Sequence, residues 1–299
     1  MLGSISPLSK RTVNRTGIDP ASKLDGKTVR KGNDMGALCT KADGSDYDPT
    51  EEQDNFADKY LYASDAEELE LAFAALKLGP TQKIIRLATG TYQLTEQMLL
   101  DDADLSGCWI ECPTGDAVLV GPADADAVKV LFAAATLSST FEFGFRGLRV
   151  ESATDYNAFH IDNTDAGKKV NIYMDNVGAE GNGTGKAIIT THGDTSNAIR
   201  VYAWGGLNAD FNDIRFVGNN NGDRLIMHDC SIEDTFVSND QATLAEFTFV
   251  GCQLPHEGFS GGNAAQYINS IGCYTKTSGI AAAADTNDFA GSQSEVITP

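Results

Sequence analysis

Two carboxylates, Asp165 and Asp194, stand 29 residues apart in this 299-residue chain. Paired carboxylates held about 5–10 Å apart cleave glycosidic bonds, one giving a proton and the other activating water or attacking the sugar. Two neighbouring segments of the fold would have to bring such a pair together. A second chemistry, proton abstraction by a lyase, needs a basic group, often beside acidic calcium ligands. Lys168, Lys169 and Arg200 are the bases at hand, with no convincing aspartate group on the same face. Gly181-Asn-Gly183-Thr-Gly185-Lys186 has the glycines of a phosphate loop. Glu180 stands where the first glycine belongs and Ala187 follows the lysine, so the segment reads as a loop between structural repeats. Asp43, Asp46, Asp48 and Glu51 lack the spacing of a calcium loop, and the four histidines are scattered. The expectation is no metal and no cofactor.

What would position these groups is a phrase that recurs six times between Phe143 and Tyr274: apolar, any, apolar, any, a turn former, then a buried residue. The copies begin at Phe143, Ile172, Tyr202, Leu225, Phe247 and Ile268. Their fifth residues are Gly147, Asn176, Gly206, Asp229, Gly251 and Gly272, the types that best tolerate positive φ. Their sixth are Leu148, Val177, Leu207, Cys230, Cys252 and Cys273, at spacings of 29, 30, 23, 22 and 21 residues. An alternation of period two that bends at a fixed point and returns about every 22 residues describes the coils of a parallel β-helix. Ala158 to Ile161, Ala187 to Thr190 and Ile214 to Val217 supply second strands. Phe143, Phe145, Tyr202 and Trp204 are all expected to face inward.

The same stacking bears on the six cysteines. Cys230, Cys252 and Cys273 would sit on successive coils about 4.8 Å apart, wider than the roughly 3.8 Å between Cβ atoms in a disulfide. They read as a buried thiol ladder that packs as small apolar groups. Cys108 and Cys112 have no further ligands beside them for a zinc site. Cys39, in a polar segment, is the thiol open to a cross-link with another chain.

Charge is divided unevenly. The chain carries −20 overall, yet residues 1–31 hold seven basic residues and two acidic ones, a net of +5 against −25 for the remainder. So acidic a body argues against sequence-independent nucleic-acid binding. No run is apolar enough to span a membrane, and the first residues lack a secretion signal, which places synthesis in a cytosol.

Taken in order, residues 1–60 are expected to be an extended basic and polar anchoring arm, and 61–80 a capping helix. Residues 81–278 are expected to form the β-helix, and 279–299 a C-terminal tail. The helix is placed at 64–77, with Ser64 and Glu67 as a capping box and Leu69, Phe73 and Leu76 on its apolar face. It is followed by Ile85-Arg-Leu87-Ala-Thr-Gly90-Thr-Tyr92-Gln-Leu94. A capping helix and then Ile-x-Leu-x-x-Gly-Thr-Tyr-x-Leu resembles the entry of pectate-lyase-like proteins. That resemblance implies an all-β fold, a right-handed single-stranded parallel β-helix, and only weakly a function, since the superfold hosts lyases, hydrolases, tailspikes and inert virion proteins. Within it, Asn163-Thr164-Asp165 and His192-Gly193-Asp194 resemble the Asn-Thr-Asp and His-Gly elements of polygalacturonase-type glycosidases, which implies Asp165, Asp194 and His192 as catalytic candidates. The Gly-Asp-Asp and Arg-x-Lys elements of those enzymes are missing here.

A scaffold with so little local chemistry is expected to be a structural protein of a tailed-phage virion. The expected form is a capsid decoration or minor capsid protein on the outer surface, made in the host cytoplasm. Lys10, Arg11, Arg15, Lys23, Lys27, Arg30 and Lys31 would bind the acidic shell, with the major capsid protein or other virion proteins as partners. A homotrimer is expected by analogy with capsid knobs on three-fold axes. Nucleic acid and membrane are not expected partners. The alternative is a tailspike or tail-fibre protein that binds or cleaves host surface polysaccharide.

Overall fold

Successive coils of this chain repeat the same strand positions, and the register shows how. The computed structural model describes residues 60–273, except 80–81, 133–136, 138, 166–167, 192–197, 207–208, 218–222, 239–245, 256–258 and 262–266. Every strand pair in it is parallel, and the strands form three ladders. The first runs through β1 (Tyr60–Ala63), β2 (Ile84–Leu87), β5 (Cys108–Glu111) and the first halves of β8 (Phe141–Thr154) and β10 (Lys169–Asn182). It continues through β12 (Ala198–Trp204), β14 (Arg224–His228), β16 (Glu246–Val250) and β18 (Tyr267–Ile271). The second joins β3 (Gly90–Gln93), β6 (Ala117–Val120), the second halves of β8 and β10, and the first residues of β13 (Asp210–Val217) and β15 (Ser231–Ser238). The third takes β4 (Met98–Leu100), β7 (Val128–Phe132), β9 (Phe159–Asn163), β11 (Ile188–Thr191), the rest of β13 and β15, and β17 (Phe259–Gly261). Three parallel ladders traversed in turn make a β-helix-like, all-β body.

The bends fall where the repeated phrase places them. Gly147, Asn176, Asp229, Gly251 and Gly272 have φ of 63°, 54°, 53°, 66° and 63°. A single left-handed residue turns the chain from the first ladder into the second while each flanking strand keeps its alternation. Inward residues from the three ladders fill one core, in which Phe132, Phe141, Phe143, Phe145 and Phe159 pack ring against ring. Phe216, Phe236, Phe247 and Phe249 form a second aromatic group further along.

Two expectations need correction. The third copy of the phrase is shifted by one residue: Ile172 pairs with Val201 and Met174 with Ala203, so Val201 and Ala203 face the core while Tyr202 and Trp204 point out. The more apolar alternation lies on the outer surface there, which misleads a reading by hydrophobicity. The helix, α1 (Ala66–Leu76), starts one residue later than its expected cap. Asp65 accepts from Glu68 N at 2.9 Å, while the Glu68 carboxylate accepts from Ser64 N and Oγ at 2.8 and 2.7 Å. Glu68, not Glu67, thus closes the cap, its amide on Asp65 and its carboxylate on Ser64. Leu69, Phe73 and Leu76 are buried, and the helix packs against β1, β2 and β3.

Candidate functional site

Outward side chains of a parallel ladder stack in rows about 4.8 Å apart, so the surface chemistry of this body is set by what each row holds. On the outer face of the first ladder, the row of Arg86, Glu111, Arg146, Asp175, Trp204 and His228 is fixed by the register. Its charges alternate and bond along the row. Arg86 Nε donates to Glu111 Oε1 at 2.9 Å, and Arg146 Nη1 lies 3.5 Å from Glu111 Oε2. Arg146 Nε donates to Asp175 Oδ2 at 2.7 Å. On the second ladder one guanidinium, Arg149, meets Glu151, Glu180 and Asp210 at 3.0, 2.6 and 2.8 Å. Burial opposes its charge, but the bonds to Glu180 and Asp210 outweigh burial and raise its pKa above the ordinary arginine value.

Beside the first of these rows lies an aromatic patch. Trp109, Tyr173, Tyr202 and Trp204 hold their rings within 10–19° of parallel at centroid separations of 5.3–6.4 Å. Trp109 reaches Tyr173 two coils away because Gly144 lies between them. A Cβ at Gly144 would fall 2.2 Å from the indole. The Tyr173 hydroxyl donates to Glu142 Oε1 at 3.1 Å, as does Asn171 Nδ2. Partial burial and that carboxylate raise the phenol's pKa. Trp204 is 41% exposed. A sugar ring or another planar, partly apolar group could stack on such a patch and hydrogen-bond at its charged border. The sequence signal for it was present in Trp109, Tyr173, Tyr202 and Trp204, but only the correct register shows that they share a face.

The residues singled out for chemistry are placed differently. Asp165 is 2% exposed, and its Oδ2 accepts from Leu137 N at 2.6 Å. Asn163 is fully buried and donates to the carbonyls of Lys168 and Ala198, while Thr164 N and Oγ1 both donate to Phe132 O. The Asn-Thr-Asp segment therefore ties one coil to its neighbours. Asp194 and His192 lie outside the described residues, as do Cys39 and the arm residues Lys10, Arg11, Arg15, Lys23, Lys27, Arg30 and Lys31. In the glycine-rich loop, the amides of Gly181, Thr184 and Gly185 donate to Asn212, Asp155 and Asn182 respectively, and Lys186 pairs with Asp213 at 2.9 Å. Those amides serve the turn.

Cys230, Cys252 and Cys273 are buried free thiols, as are Cys108 and Cys112. Cys252 Sγ lies 3.4 Å from Met227 O and Cys273 Sγ 3.3 Å from Phe249 O, each a carbonyl of the preceding coil. A hydrogen bond with Cys230, followed by burial, pushes the Cys252 thiol up to about 11, the bond with Cys273 acting in the opposite direction. The bond with Cys252 and burial raise Cys273 as well. Thiolate is the reactive form, so native protein treated with iodoacetamide at neutral pH should show all five thiols unmodified by peptide mass spectrometry. Unfolding in urea should make them react. Alkylation of Cys252 in the folded protein would refute this placement.

Comparison of the chain with protein-family models, with curated proteins and with solved structures gave no match in any of the three.

Proposed function

We propose that this protein is a structural component of a tailed-phage virion, a capsid decoration or minor capsid protein. In this reading the body is a right-handed, single-stranded β-helix of the pectate-lyase-like kind. Its handedness follows from the right-handed rule for crossovers between parallel strands, and α1 closes its first coil. Residues 1–31 fasten it to the shell, where it stands as a homotrimer on the outer surface.

The observation that carries this reading is the division of charge: +5 on the first 31 residues and −25 on the rest. Several cations of the body are held by its own coils, Arg149 by three carboxylates and Arg86 and Arg146 by Glu111 and Asp175. The arm thus carries a concentration of positive charge suited to an acidic partner, at the cost of ordering it on binding. Deleting residues 1–31 is expected to abolish binding to particles while the far-UV spectrum of the β body is retained. Full occupancy by the truncated protein would refute the anchoring role. Binding that persists in the truncated protein but falls by tenfold or more between 50 and 200 mM salt would move the anchor onto the body.

The aromatic patch favours a second reading, a tailspike or tail-fibre protein that binds host surface polysaccharide. Copy number separates the two. Hundreds per particle fit decoration, and a few to some tens fit a spike.

A further inference from the structure

Away from the first ladder, the outer face of the third ladder holds a hydrogen-bonded series that the anchoring role does not use. Asp126 precedes β7, His160 lies on β9 and Thr191 ends β11, so three consecutive coils contribute one residue each. Asp126 Oδ2 meets His160 Nδ1 at 2.8 Å, and His160 Nε2 meets the Thr191 hydroxyl at 3.1 Å. The carboxylate is fixed from behind, because Asp126 Oδ1 accepts from both the backbone N and the Nδ2 of Asn157 at 2.8 Å. His160 remains 19% exposed at its side chain and Thr191 is partly exposed, so the hydroxyl end of the series faces outward.

We propose that Asp126, His160 and Thr191 form an acyl-transfer relay acting on small esters, with Thr191 as the nucleophile, His160 as its base and Asp126 as the residue that orients the imidazole. A hydroxyl is a weak nucleophile until a neighbouring base takes its proton, and that base must be held in the right tautomer by a third group. Donating the Nδ1 proton to Asp126 leaves Nε2 with the lone pair that accepts from Thr191. Attack by Thr191 Oγ1 on the ester carbonyl forms the new C–O bond as the hydroxyl proton passes to Nε2. The alcohol leaves with that proton when the original ester bond breaks. Water then repeats the sequence on the acyl-threonine, releasing the acid and restoring the hydroxyl.

Two features support the assignment. Burial disfavours the ionised Asp126, yet its bonds with His160 and Asn157 prevail and bring its pKa below the ordinary value, so it stays an anion able to balance an imidazolium. Lys129 and Arg215 share the outward row of His160, one coil before it and two coils after it. Arg215 Nε is buried with no hydrogen-bond partner. They add positive charge to the same outer face, while Asp162 is the residue in register with Thr191 on the preceding coil.

The test uses the full chain and a fluorophosphonate probe. The hydroxyl oxygen bonds to phosphorus, the P–F bond breaks, fluoride leaves and the proton goes to Nε2, which leaves a stable adduct to be mapped by mass spectrometry. The adduct is expected on the peptide that carries Thr191. It should be absent in Thr191→Val, which keeps the side-chain shape, and should form about 100-fold more slowly in His160→Gln. Hydrolysis of p-nitrophenyl acetate should fall in the same order. No adduct at Thr191 in the wild-type protein, or equal ester hydrolysis by a Thr191→Val protein of unchanged circular dichroism, overturns the proposal. If Thr191→Val fails to fold, the site of the wild-type adduct decides alone. A purely structural hydrogen-bond series would lower the melting temperature of these variants and leave no covalent mark.

Discussion

Gly147→Ala should destabilise the protein by about 2–5 kcal/mol, whereas Gly272→Ala, at the equivalent bend, should cost only about 1–2 kcal/mol. Both glycines have φ of 63°. The left-handed conformation itself costs an L-residue about 1–2 kcal/mol, and the chain accepts that elsewhere: Asn176 and Asp229 occupy the same bend at 54° and 53°. What separates the two glycines is space. A Cβ on Gly147 would fall 2.2 Å from the carbonyl oxygen of Cys112, a backbone atom of the preceding coil, while a Cβ on Gly272 meets nothing within 4 Å among the described residues. Cys112 O already accepts from Gly115 N at 3.0 Å, so moving it disturbs a second turn. Overpacking of this kind costs about 1–3 kcal/mol beyond the torsional term. Urea unfolding followed by circular dichroism measures both. Equal losses for the two variants would show that the coils have room to shift and that φ alone decides.

The same bend explains how much of the fold could be read from the residues. Positive φ at five of the six expected positions shows that a turn former after two alternating apolar residues is a sufficient local signal when it recurs. The thiols at Cys230, Cys252 and Cys273 were legible for the same reason, since the residue after the bend is driven inward wherever the chain turns. The third copy failed because alternation has period two: a slip of one residue inverts every side chain, and hydrophobicity alone favoured the wrong phase. Val201 and Ala203 fill less volume than Tyr202 and Trp204, but they stand in register with the buried Ile172 and Leu225, Met174 and Met227 on the flanking coils. Packing between coils overrode the local pattern.

The chemistry was less legible than the fold, and distance in sequence is the reason. Asp126 and His160 are 34 residues apart, and Thr191 lies 31 further on. No local motif announces a contact between residues one coil apart when the coils differ in length. The Asn163-Thr164-Asp165 segment illustrates the opposite case: a compact motif with the look of a site whose polar atoms bond to the coils on either side. Turn residues and catalytic residues draw on the same few side chains, so spacing along a single coil cannot separate them.

Phe145→Ala is expected to cost about 3–5 kcal/mol, the range for removing a fully buried aromatic side chain and leaving a cavity. Phe145 has no exposed surface, and its ring sits 5.2 Å from Phe143 and 5.1 Å from Phe159, so it links the first ladder to the third within one coil. Its backbone also pairs with Ile110 on one side and Met174 on the other. In a stack each coil packs chiefly against its neighbours, and stability is close to a sum of coil and interface contributions. A cavity at Phe145 therefore weakens two interfaces at once, which should lower the urea midpoint and also reduce the slope of the transition as the two halves of the stack begin to unfold apart. Phe145→Leu, which keeps most of the volume, should restore the slope and much of the midpoint. A lowered midpoint with an unchanged slope in Phe145→Ala would mean that the coils unfold as one unit in spite of the cavity. The ladder pairing between β8 and β10, interrupted only at the bend and at a bulge near Asn182, would then carry the cooperativity, and the aromatic core would supply stability without transmitting it.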